Sequence, residues 1–479
     1  MAMKTTYKQN FTAALLGAMA FLSTVARAAD AKKPNVVYFL VDNLGEGELS
    51  CYSGGPLRGT MTPRIDSFAK EGMRLLNFAP ETQCTPSRSA LMTGRYSIRS
   101  GNQTVAMPGM HGGLVKWERT MGDIFSDAGY ATSIVGKWHI GDETGRWPTD
   151  HGFDEWYGIP GSYDEALWLD DPWYKAGRDP VPRVLEGRKG EPVHEVGQMT
   201  LEVRRNIDVE FMKRAKAFLK RSRDAGKPFF LYFNHSMCHF PTIPRDQFKG
   251  KTGHGDFADS LLELDTDFGT LLDYLKELGV ADNTILVFSG DNGPEELEPW
   301  RGSAGAWQGS YFTGMEGSLR TPALVRYPGH VPAGQVSDEI VHITDMFTTL
   351  TDWAGLEIPN DRVIDGMDQR AFLEGKQKNS TRDGFLYWMG DTLYGVKWHQ
   401  FKMVLVLQKT LTDPALRLAT PQIVNLDTDP QERKPYDYPY VHTWVIAHTG
   451  KLLGEFQDSV RSEPLIPVGA PLDYVPKKP

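Results

Sequence analysis

The sequence predicts an α/β fold: a large, mostly parallel (mixed) sheet flanked by helices on both faces, followed by a small C-terminal antiparallel-sheet subdomain. Three observations predict it. Continuous apolar, β-rich runs recur along the first 290 residues, as in strands buried on both faces. Segments with helical spacing fall between them. After about residue 380 short strand-like runs follow one another without intervening helices.

Residues 36–41 (VVYFLV) give the first strand and residues 132–135 (TSIV) the second. Residues 203–223 read as a helix, and FFLYF at 229–233 as the next strand. In the helical segment 257–278, Leu261, Leu264, Phe268, Leu271, Leu272 and Leu275 share one face. TILVF at 284–288 is the last strand of the parallel set. Residues 290–322 are rich in glycine and carry Trp300, Trp307, Tyr311 and Phe312, and so long a loop reads as part of a pocket wall. The C-terminal strands are read at 385–388, 401–406 and 422–426. The domain division that follows is 29–380 for the main domain and 381–479 for the small one.

Residues 1–28 read as a secretory signal: Lys4 and Lys8, an apolar run from Phe11 to Val25, then Ala26-Arg27-Ala28. The competing reading is a retained N-terminal anchor, but the run falls short of the about 20 apolar residues that span a bilayer. A periplasmic or secreted location follows, with no membrane span. Removing the signal takes away Lys4, Lys8 and Arg27, moving the formal charge from −9 to −12. That acidity argues against nucleic acid as a partner. Cys51, Cys84 and Cys238 are the three cysteines, too few for a disulfide framework. Cys51 and Cys238 are read either as a pair or as two buried thiols.

Each strand of the parallel set ends in chemistry-bearing residues: Asp42-Asn43, Lys137 to His139, His235 to His239, and Asp291-Asn292. Open α/β sheets place their sites at the carboxyl ends of strands. Asp42, Asn43, Asp291 and Asn292 carry oxygen ligands of the kind a hard divalent cation takes, a set that disfavours zinc, while Asp-Asn pairs are also common turn residues. In Cys84-Thr85-Pro86-Ser87-Arg88, Pro86 suits a first helical position and Gly94 a helix stop. A helix N-terminus with Arg88 one turn on favours an anion at Cys84.

Cys84-Thr85-Pro86-Ser87-Arg88 followed by Leu91-Met92-Thr93-Gly94-Arg95 resembles the signature of the type I sulfatases. Residues 34–47, Gly136-Lys137-Trp138-His139-Ile140-Gly141 and 288–293 resemble further motifs of that family, as does the segment 425–432. The resemblance implies an alkaline phosphatase-like fold and hydrolysis of an aryl or carbohydrate sulfate monoester. Cys84 would be converted to formylglycine by a maturation enzyme, and the aldehyde hydrate would attack sulfur. Arg88 and Lys137 would meet charge, His139 would accept a proton from the formylglycine hydroxyl, and His239 would protonate the leaving alcohol. The metal would be Ca²⁺ (or Mg²⁺), held by Asp42, Asn43, Asp291, Asn292 and residue 84. Ser162 resembles a sulfate-contacting serine. Relatives with the same signature that cleave phosphonate monoesters or phosphodiesters give an alternative reading. A sulfated-ligand binding protein with unmodified Cys84 gives another.

Two departures stand out. Asn43 occupies a position where the family normally has aspartate, and Tyr311 or Phe312 one where many members have lysine. The two changes are read as compensating in charge, with Arg301 as a substitute cation. On that reading Asn43→Asp alone lowers kcat/KM and a lysine at Tyr311 partly restores it. Trp156, Tyr157, Trp168, Trp173, Trp300 and Trp307 read either as stacking or as packing residues.

Overall fold

The computed structural model describes residues 32–105, 107, 112–164, 171–179, 181–433 and 442–477. The expected signal at 1–28 and Trp168 lie outside the described residues. The strand Asn35–Val41 is wholly buried and sits at the centre of an 11-stranded sheet. Phe229–His235 and Thr284–Gly290 flank it, both parallel, and Ala131–Val135 and Glu155–Gly158 continue the parallel run beyond Phe229–His235. Antiparallel strands cap both sides. Arg183–Arg188 and His194–Gln198 close one edge. On the other side Thr321–Arg326 lies antiparallel between Thr284–Gly290 and Met73–Ala79. The sheet is therefore mixed, as the alternation of patterns implies.

Two apolar cores cover its two faces. One is built with the helices Cys84–Thr93, Met121–Asp127 and Ile343–Trp353. The other is built with Pro63–Lys70, Leu201–Asp224 and Asp256–Glu277. Thr200 caps the long helix by accepting the Val203 N–H, which sets its start two residues before the expected one.

The C-terminal sheet has four antiparallel strands: Gly384–Met389, Thr392–Trp398, Phe401–Leu407 and Leu416–Asn425. The helix Val445–Ser462 packs against it. Sequence reading missed Thr392–Trp398, because Gly395 interrupts its β-rich pattern. The core of this sheet takes in Ala79, Tyr96, Ile98 and Leu319 from earlier in the chain, so the small sheet shares apolar contacts with the elements around the large one. No helix among the described residues is long and apolar enough to cross a membrane.

Glu81 lies between the strand Met73–Ala79 and the helix Cys84–Thr93, buried, with the Ser97 N–H on Oε1 at 3.1 Å. Burial pushes its carboxyl up to about 8, Ser97 opposing and Asp365 adding. The folded chain then binds this proton more tightly than the unfolded chain, so its contribution to stability declines as pH rises from the carboxylate range toward 8. Glu81→Gln removes that decline. Thermal melts are expected to show a gain in Tm over wild type that grows from pH 5 to pH 8. A pH-independent difference would contradict the assignment.

Candidate active site

Four neighbouring parallel strands, Ala131–Val135, Phe229–His235, Asn35–Val41 and Thr284–Gly290, deliver the candidate residues to one crevice. Asp42 and Asn43 follow the central strand, Asp291 and Asn292 its neighbour. Asn43 and His139 both hold positive φ (53° and 62°), tight bends that turn the chain at the strand ends. The helix Cys84–Thr93 points its N-terminus at this crevice and stops at Gly94, whose φ of 69° suits glycine. It starts at Cys84, so Pro86 is its third residue and not its first. That start puts Cys84 itself at the positive end of the helix dipole.

Cys84 is buried, with Sγ 3.5 Å from Asp42 Oδ1 and 3.8 Å from Asn43 Oδ1. Burial and the charge of Asp42 push its thiol well above the usual range. Arg88, one turn on, is fully enclosed. Its Nε and Nη2 donate to Asp291 Oδ2 at 3.1 and 2.8 Å, and Nη2 also to Asp42 Oδ2 at 3.2 Å. Its Nη1 donates to the Lys137 carbonyl and to Asn234 Oδ1. All three guanidinium nitrogens are thus aimed at protein acceptors, so Arg88 acts on the carboxylates and on the backbone of the next strand end.

Lys137 Nζ is 3.0 Å from Asp42 Oδ2 and donates to Ser162 Oγ at 3.0 Å. Ser162 Oγ in turn lies 2.9 Å from His239 Nε2, and His239 Nδ1 is 2.7 Å from the Phe240 carbonyl. A continuous chain Asp42–Lys137–Ser162–His239 results. His139 is buried on the flank of Cys84, its carbonyl accepting the Thr85 hydroxyl at 2.9 Å. His235 stands apart, bound to Asp267 at 3.2 Å, and is structural.

Burial opposes ionisation of Asp42, but Lys137 and Arg88 hold its carboxyl well below the usual range. Asp291 goes the other way, pushed up to about 6 by burial and by the charge of Asp42. Two buried carboxylates in such opposition are an environment that a divalent cation relieves. Asn292 Oδ1 is buried and finds no partner among the described residues, while Asn292 Nδ2 donates to Asn43 Oδ1 at 2.7 Å. An orphaned carbonyl oxygen beside two carboxylates and a second amide oxygen fits a hard cation such as Ca²⁺. Asp42, Cys84 and His239 also have ligand atoms within 4.8 Å of one another. The Lys137 ammonium already pairs with Asp42 Oδ2 and reaches toward His239 through Ser162.

The structure brings together Asp42, Asn43, Cys84, Arg88, Lys137, His139, Ser162, His239, Asp291 and Asn292. Arg301 is not among them: its side chain is 60% exposed and 3.8 Å from Glu298, so a surface carboxylate takes its charge. Cys51 and Cys238 are free, and no disulfide joins them. Sequence reading missed Asn234, which orients Arg88, and Glu295, a buried carboxylate that contacts Asn43 and Tyr311. Of the expected aromatic residues, Trp307 is engaged in packing, its Nε1 on Glu46 and its ring under Arg320. Trp300 stacks on Phe240, which stacks on His239.

Comparison with known proteins gives consistent answers. A family described as Sulfatase matches residues 34–356, and one described as N-sulphoglucosamine sulphohydrolase, C-terminal, matches residues 310–447. An N-acetylgalactosamine-6-sulfatase of Canis lupus familiaris is 35% identical over 388 residues, covering 77% of this chain and 71% of the relative. Arylsulfatase A of Homo sapiens is 32% identical over 439 residues, 86% of this chain and 85% of that one. The crystal structure of PsFucS1 sulfatase from Pseudoalteromonas sp. superposes with a TM-score of 0.84 at 29% identity, covering 92% and 93% of the two chains.

Proposed function

This chain belongs to the sulfatase family, as a type I member of the alkaline phosphatase superfamily, and from that premise we propose an exported enzyme that hydrolyses a carbohydrate sulfate monoester using formylglycine made from Cys84. Hydrolysis of carbohydrate or aryl sulfate esters is what the family and the relatives support. The sugar is favoured by the relative named for N-acetylgalactosamine 6-sulfate. Export rests on the signal read at residues 1–28, and implies a maturation enzyme acting on Cys84. On this reading residues 29–380 carry the catalysis and 381–479 form the C-terminal subdomain.

The observation that carries the proposal is the convergence of Cys84, at a helix N-terminus, with the Asp42–Lys137–Ser162–His239 chain and the Asn292 oxygen cradle. Asp42, Asn43, Asp291 and Asn292 would hold the calcium ion. Formylglycine at residue 84 would supply an oxygen nucleophile, and a cation held by these residues would polarise it and offset charge on the sulfuryl oxygens. Arg88 keeps Asp42 and Asp291 in register. Lys137, already poised 3.0 Å from Ser162, presents its ammonium to a sulfate oxygen, with the helix dipole adding to it. His239 Nε2, on the far side of Ser162, delivers a proton to the departing alcohol. His139 is the proton acceptor on the residue 84 flank.

The direct test is sulfate release from sulfated monosaccharides, N-acetylgalactosamine 6-sulfate among them, with calcium and after chelation. Release that needs the cation is expected. Hydrolysis of a phosphodiester in preference to every sulfate ester would contradict the assignment. General acid help matters most for poor leaving groups. His239→Ala is therefore expected to lower kcat/KM for a sugar sulfate by about 10²–10⁴-fold and far less for nitrophenyl sulfate. Equal losses on both substrates would remove His239 from the proton-delivery role.

A further inference from the structure

Glu295 is a buried carboxylate with no assigned work in the chemistry above, and its two oxygens are used unequally. Oε1 accepts the backbone N–H groups of Glu296 and Leu297 at 2.9 and 3.2 Å and the Tyr311 hydroxyl at 3.1 Å. Oε2 accepts one bond from a side chain, Asn43 Nδ2, at 3.2 Å. Among the described residues no lysine, arginine or histidine pairs with it, although it is only 1% exposed. A buried anion answered by neutral donors alone is costly, and it holds whatever donates to it firmly.

What it holds is an amide beside the oxygen cradle. The two ends of an asparagine side chain are nearly the same size, but only the oxygen can meet a cation. With Nδ2 fixed on Glu295, Asn43 Oδ1 faces Cys84 Sγ and accepts from Asn292. The reversed amide would set oxygen against the Glu295 carboxylate. The backbone of Asn43 is pinned as well, its N–H donating to Asp291 Oδ1 at 3.1 Å and its φ held at 53°.

We infer that Glu295 is a positioning residue for the divalent cation: it orients Asn43 as an oxygen ligand, supplies a negative charge one residue outside the cradle, and is itself held in place by the Tyr311 hydroxyl. The inference deepens the metal-site reading above and rests on it. Position 43 and position 295 then form a matched pair. A carboxylate at 43 would stand about 3 Å from the Glu295 oxygen with no proton between them, so added negative charge at 43 weakens the site although it would attract a cation in isolation.

The test is calcium binding itself, measured by titration calorimetry with Ca²⁺ alone on the full chain, for wild type, Glu295→Gln, Asn43→Asp and the double variant. Glutamine at 295 cannot accept at both ends, so Glu295→Gln is expected to weaken calcium binding about 10–100-fold, the usual size for a group behind a ligand. Asn43→Asp is expected to weaken it by a similar factor. In the double variant the glutamine amide can donate to the introduced aspartate, and affinity returns to within about tenfold of wild type, a rescue that a purely structural defect does not give. Tighter binding by Asn43→Asp alone, or unchanged binding by Glu295→Gln, would overturn the pairing. If the wild type itself binds no calcium, the metal-site reading fails first and this inference with it.

Discussion

Replacement of Cys84 by alanine is expected to lower kcat/KM for any sulfate ester by at least about 10⁴-fold while leaving the fold intact. The two halves of this expectation have separate causes. The hydrogen bonds of the Cys84 sulfur among the described residues are the long ones, 3.5 and 3.8 Å, to Asp42 and Asn43, so alanine gives up no short bond. The helix that carries it is secured elsewhere, by Arg88 at one end and by Leu91 and Met92 in the main core. The chemistry has no comparable reserve, because Arg88 and Lys137 are already engaged with Asp42, Asp291 and Ser162, and neither can replace a nucleophile at residue 84. Steady-state kinetics and a thermal melt on the same preparation check both halves. Activity within tenfold of wild type would show that residue 84 forms no bond to the substrate.

Arg88→Ala is expected to lower both stability and activity. Asp42 and Asp291 are buried, and Arg88 is the group that bonds both. Lys137 remains for Asp42, but Asp291 loses the guanidinium bonded to it. Removing one partner from a buried ionic cluster costs about 3–5 kcal/mol, because the charge left behind stays out of water. The same loss frees the Asp291 side chain and the Lys137 backbone, and misplacement on the scale of 1 Å costs about 10²-fold in rate. Arg88→Lys keeps the charge but cannot reach Asp42, Asp291 and Asn234 at once, so it is expected to fall between wild type and alanine. Urea unfolding with kcat/KM on each variant checks the ordering. A fully stable alanine variant would mean that the two carboxylates are held by something other than Arg88.

Most of this crevice was legible in the chain because its parts sit where local pattern is strongest. Asp42-Asn43, Lys137 to His139 and Asp291-Asn292 each follow an apolar run that can only be a buried strand, and a parallel sheet carries such ends to one place. Ser162 was legible only through resemblance, and its bonds to Lys137 and His239 give it a physical place. Glu295 and Asn234 carry no such signal. The Asn43–Glu295 contact spans 252 positions, and nothing in the local sequence of either residue announces the other. Arg301 shows the converse: a cation in a promising loop, but on its solvent side. The strand Thr392–Trp398 escaped because Gly395 interrupts its β-rich run, whereas its antiparallel neighbours carry the unbroken runs 385–388 and 401–406.

The central claim is that residue 84 works as formylglycine. Mass spectrometry of the tryptic peptide 75–88, from protein that is turning over a sulfate ester, tests it most directly. An aldehyde in place of the Cys84 thiol is the expected result. An intact thiol throughout an active preparation would contradict the account.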